Sequence, residues 1–280
     1  MENQTWQERF NNSVLAETQY SGQRQPGDKQ ISASSLGNEV QYVMMQKIVG
    51  KSSVKSEMDA STIGSVYQLG IDGIFKDDKE YEYAIRMEHM LPNGWLVSGE
   101  FDLLDLTTNT IIDCKVLSDS GYKNTVKDKD NPDGSYNLQL GVYKYLLWKT
   151  RGKKFEGGLS VFNKGGSKNK GNIFLNIDIE THDPEDIEDL LIQKTNDVER
   201  AEQEGLDETE WCNIYKFGTS RGSPARCNLY CDYSIECKTH QKNSQSNIKN
   251  FVGSLDLDKS IKESNRANSI KDLYKNDSNF

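Results

Sequence analysis

Two charged residues interrupt an otherwise apolar stretch that runs from Thr110 to Val116. The stretch reads Thr-Ile-Ile-Asp-Cys-Lys-Val, and its paired isoleucines predict a strand that is buried on both faces. Side chains alternate along a strand, so Asp113 and Lys115 are expected on one face and Cys114 on the other. Because a buried charge must be paired or bind a metal, this strand predicts a covered sheet that carries a charged site.

The sequence around this strand switches between helical and strand periodicity. Strands are predicted over about residues 81–87, 95–106, 110–116, 157–163 and 173–179, and helices over about 36–49, 59–75, 136–149 and 183–204. Residues 118–135 are polar and predict a flexible loop. The order of helix, three strands, helix and strand predicts an α/β fold.

The length of 280 residues allows one sizeable core or two small ones. We expect a polar N-terminal segment over residues 1–30, one domain over 31–240 and a disordered tail rich in Ser, Asn and Lys over 241–280. No apolar run is long enough to cross a bilayer, and the first residues do not resemble a secretory signal. A cytoplasmic location is therefore expected.

A second acid lies where it can reach the charged strand. Asp102 is near the end of the strand predicted over residues 95–106, and two adjacent strands can bring Asp102, Asp113 and Lys115 together. Carboxylates are hard oxygen ligands that suit Mg²⁺ or Mn²⁺, and such a cation lowers the pKa of a bound water. A plain ion pair at the margin of the sheet is the alternative interpretation.

Three segments, taken in this order, resemble the RecB-like exonuclease branch of the PD-(D/E)XK nuclease superfamily. They are Gly99-Glu-Phe-Asp102, Asp113-Cys-Lys115 and Gln139-Leu-Gly-Val-Tyr143. The resemblance implies a restriction-endonuclease-like core with a mixed central sheet flanked by helices. It implies that the two acids bind the metal, that the lysine is catalytic, and that Gln139 and Tyr143 lie beside the site and the DNA.

Two upstream segments are similar to the family's less closely. Ile31-Ser-Ala-Ser-Ser-Leu36 resembles the Ser-rich start of the family's first helix, and Gly64-Ser-Val-Tyr-Gln68 resembles its Gly-Thr-x-x-His segment. Gln68 stands where the family often has a metal-binding histidine, and an amide oxygen is a weaker ligand. We expect the Cys114 carbonyl and Gln68 to join the two acids at the metal; an ordinary polar helix residue is the alternative for Gln68.

Four of the five cysteines follow residue 210. Cys227, Cys231 and Cys237 are closely spaced, and Cys212 is the candidate fourth ligand. Clustered thiolates in a reducing compartment bind Zn²⁺ or an iron–sulfur cluster. Some RecB-like nucleases hold [4Fe–4S] at similar C-terminal cysteines, but with an upstream fourth cysteine that this chain does not have. The alternative is a set of free or buried thiols.

The net charge of −9 means that any DNA contact must rest on local basic groups. A dense basic region follows the helix predicted over residues 136–149 and continues into a Gly-rich turn. The predicted DNA contacts there are Lys153, Lys154, Lys164 and Lys168, with Lys123, Lys127 and Lys129 as further candidates. Such groups position phosphates without reading bases, and the alternative is a solvated loop.

The sequence therefore predicts a metal-dependent DNA nuclease, in the first place an exonuclease, acting in recombination, repair or phage DNA metabolism. The chain has no Gly-x-x-x-x-Gly-Lys-[Ser/Thr] motif, so unwinding is left to a helicase partner, and a single-strand-binding protein is a second candidate partner. The competing hypotheses are a non-catalytic DNA-binding or scaffolding module on a degenerate nuclease fold, and a structural metal protein that rests on the cysteines alone.

Overall fold

The fold was analysed in a computed structural model of the chain. The structure describes residues 25–50, 66, 69–71, 73–164, 174–212, 219–220, 223–224, 231, 233–234 and 237. The predicted N-terminal segment lies mostly outside these residues, and the predicted tail lies entirely outside them, so both stay predictions.

Six strands and four helices make up the main body of the described chain. The strands are β1 (Gln30–Ser32), β2 (Tyr81–Met90), β3 (Leu96–Asp105), β4 (Thr110–Leu117), β5 (Glu156–Asn163) and β6 (Phe174–Asp178). The helices are α1 (Val40–Val49), α2 (Asp119–Asp128), α3 (Ser135–Arg151) and α4 (Pro184–Glu204). Short 3-10 helices span Ala33–Ser35 and Glu208–Glu210, and a small hairpin joins β7 (Thr219–Ser220) to β8 (Ser223–Pro224).

The six strands form one mixed sheet in the order β1-β3-β4-β5-β6, with β2 paired to β3. The β1–β3 and β4–β5 pairs are parallel, and the other pairs are antiparallel. Since β2 runs along the whole of β3, strands β1 and β4 share the opposite edge of β3. They pair with residues 96–98 and 103–105, so residues 99–102 lie between them.

Helix α3 carries much of the core. It packs against β2, β3, β4 and β5 and against α4, and α4 in turn packs against α1. The helix ends where Gly152 adopts φ +70°, a left-handed conformation that suits glycine, and donates to the Trp148 carbonyl. The fully buried side chains include Trp95, Phe101, Leu104, Ile111, Leu140, Tyr145, Leu146 and Ile187. The predicted α/β fold with a mixed sheet flanked by helices is confirmed.

Two details differ from the sequence prediction. The predicted loop over 118–135 is wrong in its first half, because α2 occupies Asp119–Asp128 and Ser118 accepts a hydrogen bond from the Gly121 N–H at its start. The first helix begins at Val40 rather than near 36, because the chain first makes the 3-10 turn at Ala33–Ser35. No helix of the described residues combines the length and apolar character that crossing a membrane requires.

Candidate active site

Strands β3 and β4 separate just where their acidic residues lie. Their pairing runs from Asp105 opposite Thr110 to Leu103 opposite Ile112 and goes no further. Beyond this point the Cys114 N–H donates to the Asp102 carboxylate, with 2.6 Å between the amide nitrogen and Oδ2. A side chain thus takes the amide that the neighbouring strand would otherwise use, and the sheet opens beside Asp102 and Asp113.

Asp113 is 2% exposed and makes its closest ionic contact with Lys115, whose Nζ lies 2.5 Å from Oδ2. The same Oδ2 has no well-aligned hydrogen bond within the described part of the chain, so the contact is ionic in character. Burial alone would lower the pKa of Lys115, but Asp113, Tyr143 and Asp102 raise it above its usual value. The ammonium is therefore held charged beside the two acids.

Burial, followed by the nearby Asp113 carboxylate, raises the pKa of Asp102 from 3.8 to about 7. Lys115 and the Cys114 N–H act in the opposite sense without restoring the ordinary value. Since the Asp113 carboxylate opposes the ionisation of Asp102, a cation between the two acids would be favoured.

One face of helix α3 places polar side chains beside the site. Gln139 and Tyr143 are one turn apart, and Gln139 Nε2 donates to the Tyr143 hydroxyl at 2.8 Å. Burial raises the pKa of Tyr143, and the ring lies so close to β3 that a Cβ on Gly99 would stand 2.8 Å from its Cε1. Gly99 therefore provides the space in which the Tyr143 ring is seated.

Tyr136 belongs to the same face, and the sequence interpretation missed it. Its ring centre lies 5.6 Å from Lys115 Nζ, within cation–π distance. Burial raises the pKa of the Tyr136 hydroxyl. Its position three residues before Gln139 was the available signal, since such residues share a helix face.

The predicted metal ligands are brought together only in part. Asp102 and Asp113 lie close together, and Gln68 lies outside the described residues. The Cys114 backbone contacts Asp102 through its N–H, and no contact of its carbonyl with the site is observed among the described residues. Among the residues that the structure describes, no group of three His, Cys, Asp or Glu side chains is arranged to hold a metal. The third and fourth ligands therefore stay predictions.

Two of the C-terminal cysteines, Cys212 and Cys237, contact Gln41 of helix α1, which is 2% exposed. Gln41 Nε2 donates to Cys237 Sγ at 3.3 Å, and its Oε1 accepts from the Cys212 N–H at 2.7 Å. Cys231 is half-buried, and Cys227 lies outside the described residues. The sequence interpretation missed Gln41, although a polar residue inside an apolar helix pattern is a visible signal.

The predicted DNA lysines fall at two different places. Lys153 Nζ donates to Asn109 Oδ1 at 2.8 Å, in the turn between β3 and β4. Lys154 Nζ lies 3.3 Å from Asp183 and 3.6 Å from Glu185. Lys164 follows β5 and its N–H donates to the Leu117 carbonyl at 2.9 Å. Lys168 lies outside the described residues.

A family model for the PD-(D/E)XK nuclease superfamily matches residues 16–238. The chain belongs to this superfamily. The match covers the opened strands, Asp102, Asp113, Lys115 and the α3 face, and the predicted PD-(D/E)XK superfamily is thereby confirmed. No curated protein sequence matches the chain.

The chain is similar to several solved structures at low sequence identity. The chain is similar to SSO0001 with a TM-score of 0.50 and 14% identity, over 84% of this chain and 96% of that one. It is also similar to a phage-related exonuclease from Haemophilus somnus 129PT, with a TM-score of 0.41, 10% identity and coverage of 66% and 95%. An alkaline exonuclease from Laribacter hongkongensis matches with a TM-score of 0.40, 13% identity and coverage of 63% and 93%.

Proposed function

We propose that this PD-(D/E)XK nuclease is a deoxyribonuclease that requires Mg²⁺ or Mn²⁺ and hydrolyses phosphodiester bonds, in the first place as an exonuclease. One observation carries the proposal: half-buried Asp102, buried Asp113 and half-buried Lys115 lie together where β3 and β4 separate. A carboxyl pKa raised by burial and by a neighbouring acid is typical of functional sites, and two close carboxylates are ligands that a divalent cation needs.

The donor set fits a hard divalent cation. Asp113 Oδ2 is buried with only an ionic neighbour among the described residues, and the pKa of Asp102 is raised by burial and by Asp113. When bound, Mg²⁺ or Mn²⁺ would lower the pKa of a water and neutralise charge on the phosphate. Asp102 and Asp113 would hold it, and we propose the Cys114 carbonyl and Gln68 as further ligands.

The side chains of the site have separate tasks in this proposal. Lys115, fixed by Asp113 and by the Tyr136 ring, stabilises negative charge that develops on the reacting phosphate. Gln139 orients the Tyr143 hydroxyl, and the pair closes one wall of the site. These groups act through position and charge, so each should affect turnover more than folding.

A metal at the C-terminal cysteines is a second, separate proposal. Gln41 holds the backbone of Cys212 and the thiol of Cys237 near one another, which supports Zn²⁺ or [4Fe–4S] bound with Cys227 and Cys231. Iron and zinc analysis of anaerobically purified protein tests it. Protein that contains neither element would overturn this proposal without affecting the nuclease.

The biological setting proposed for this activity is recombination, repair or phage DNA metabolism, in the bacterial cytoplasm or an infected host cell. A helicase or a single-strand-binding protein would supply single strands. The test of the exonuclease assignment compares end-labelled linear DNA with a closed circle of the same sequence. Release of nucleotides from the linear DNA alone supports it; nicking of the circle would assign endonuclease action, and binding without cleavage would favour a non-catalytic module.

A further inference from the structure

The gap between β3 and β4 is open toward the C-terminal end of β4 and closed at the β3–β4 turn. Pairing between Leu103–Asp105 and Thr110–Ile112 closes the sheet on the side of the β3–β4 turn. Past Ile112 the strands separate, while β4 continues beside β5 as far as Leu117 opposite Asn163. A polymer that reaches Asp113 and Lys115 from the open side therefore passes the ends of β4 and β5.

The cations at the closed side already have partners, and for Lys154 these partners are acidic. Lys153 donates to Asn109 in the turn, and Lys154 lies close to the carboxylates of Asp183 and Glu185. A phosphate that bound Lys154 would have to compete with these two acids. The two lysines also lie behind the paired ends of β3 and β4, away from the opening.

The cations at the open side are exposed, and no described acid forms an ion pair with them. Lys123 and Lys127 lie on α2, which begins directly after β4, and Lys164 directly follows β5. Within the described part of the chain none of the three makes an ion pair.

The contacts of α2 leave the ammonium groups of Lys123 and Lys127 able to bind an external anion. Asp119 stands one turn before Lys123, where it could pair with it, but Asp119 instead accepts from Asn163 Nδ2 at 2.9 Å. Lys123 and Lys127 are themselves one turn apart, and like charges at this spacing destabilise an isolated helix. An external anion along this helix face would remove that repulsion.

We propose that the DNA backbone leaves the site over α2, with Lys123, Lys127 and Lys164 contacting successive phosphates. This track rests on the proposed nuclease function and deepens it, because it states where the substrate lies. It places the strand on the opposite side of the site from Lys153 and Lys154. The sequence alone pointed to both sides.

Two double variants that each remove two positive charges test this track. Lys123→Ala/Lys127→Ala is compared with Lys153→Ala/Lys154→Ala, and binding of a labelled oligonucleotide is measured by anisotropy in EDTA across salt concentrations. Each lost phosphate contact should reduce the salt slope by about 0.7 to 0.9. We expect the α2 variant to bind about tenfold more weakly at moderate salt with a flatter slope, and the Lys153/Lys154 variant to change much less.

Controls separate the track from the function on which it rests. Lys123→Arg/Lys127→Arg should bind as the parent does, and thermal melts should show that all variants fold. If the α2 variant binds like the parent, or the Lys153/Lys154 variant loses more affinity, the track is wrong while the nuclease stands. If the parent itself neither binds nor cleaves DNA with Mg²⁺ or Mn²⁺, the proposed function fails, and the track fails with it.

Discussion

Lys115 has contacts on two sides that fix its ammonium. Asp113 Oδ2 lies 2.5 Å from Nζ, and the Tyr136 ring lies 5.6 Å from it on the helix side. Its charge is kept by Asp113, Tyr143 and Asp102, which raise its pKa against the effect of burial. A cation held this firmly is suited to stabilise charge that develops only in the transition state.

Lys115→Ala should lower turnover at least about 100-fold and change DNA affinity little. The reason is that Lys115 acts on developing charge rather than on ground-state phosphates. Single-turnover cleavage and anisotropy measure the two effects separately. Lys79→Ala, at an exposed lysine before β2, is the control and should behave as the parent. A Lys115→Ala variant that cleaves at the parental rate would remove Lys115 from the mechanism.

Tyr136 should act as a positioning residue for Lys115. Tyr136→Leu removes the ring and should lower turnover about tenfold at an unchanged KM, a loss that corresponds to about 1.4 kcal/mol. Tyr136→Phe retains the ring and should retain turnover. Steady-state kinetics with the two variants distinguish the ring from the hydroxyl. Equal losses in both variants would show that the hydroxyl, and not the cation–π contact, matters.

The raised pKa of Asp102 predicts that the stability of the metal-free protein falls as pH rises. The pKa of Asp102 is 3.8 when unperturbed and about 7 in the fold, so between these values the unfolded chain is ionised while the folded one is protonated. Without metal, stability should fall as pH rises from 4 to 7 and then level off. Asp102→Asn should remove much of this fall and raise Tm at pH 8 by on the order of 5 °C.

Cleavage should show the opposite trend with pH. Metal binding needs the ionised Asp102, so activity at limiting Mg²⁺ should rise up to about pH 7 and flatten above it. Thermal melts without metal test the predicted pH dependence of stability, and initial rates with Mg²⁺ over the same pH range test that of cleavage. A parent Tm that does not fall between pH 4 and 7, while the Asn variant behaves identically, would contradict the buried acid described above.

At the level of elements, the close contact between β3 and α3 depends on Gly99. A Cβ at this position would meet Tyr143 Cε1 at 2.8 Å and Cδ1 at 3.0 Å, and both atoms belong to a rigid ring. Gly99→Ala should therefore cost about 1–3 kcal/mol of unfolding free energy and displace Tyr143. Urea unfolding measures the loss, and cleavage should fall with it.

Gly157→Ala is the matched control for this contact. Gly157 lies on β5 in the same sheet, and the nearest atom to its added Cβ would be Leu140 Cδ2 at 3.6 Å, an ordinary contact. We expect nearly unchanged stability there. Equal losses of stability in the two variants would mean that the steric contact with Tyr143 is not the reason for the loss at Gly99.

The strand that carries the site could be predicted because its signals are local. Alternation along Thr110–Val116 places Asp113 and Lys115 on one face, and β4 follows this stretch. Helix α2 was missed because its residues are mostly polar and include Gly121, so its apolar stripe is short. The helix begins after Ser118, whose hydroxyl accepts from the Gly121 N–H, but a serine alone in the sequence is a weak indication of a helix start.

Contacts between distant parts of the chain could not be predicted. Nothing local shows that Tyr136 faces Lys115, or that Gln41 bonds to Cys212 and Cys237, more than 170 residues away. The same holds for Lys154, whose carboxylate neighbours come from the start of α4. The family resemblance predicted which residues form the site, whereas the direction of its opening could be described only from the strand register.

For the whole molecule, Gln41 and Tyr233 tie the C-terminal segment back to α1. Tyr233 packs edge-on against Tyr42, with ring centres 5.5 Å apart, and donates to the Gly50 carbonyl at 3.0 Å. Of the described residues after α4, Cys212, Tyr233 and Cys237 thus contact α1 or the residue that ends it, and these contacts stabilise that helix.

Gln41→Leu should destabilise the fold by about 1 kcal/mol, because it leaves the half-buried Cys212 N–H without its acceptor. Gln193→Leu makes the same change at an exposed position of α4 and should have little effect. Urea unfolding compares the two. Loss of stability at Gln193 but not at Gln41 would show that the C-terminal segment does not depend on this contact.

The central claim is that Asp102, Asp113 and Lys115 form a metal-dependent DNA-cleaving site, and single-turnover cleavage of end-labelled DNA tests it most directly. The parent and Asp113→Asn are compared with Mg²⁺, with Mn²⁺ and with EDTA, after circular dichroism has shown that both are folded. We expect cleavage by the parent with either metal, none with EDTA, and a loss of at least about 1,000-fold in the variant. Cleavage that persists in EDTA, or an Asp113→Asn protein as active as the parent, would contradict it.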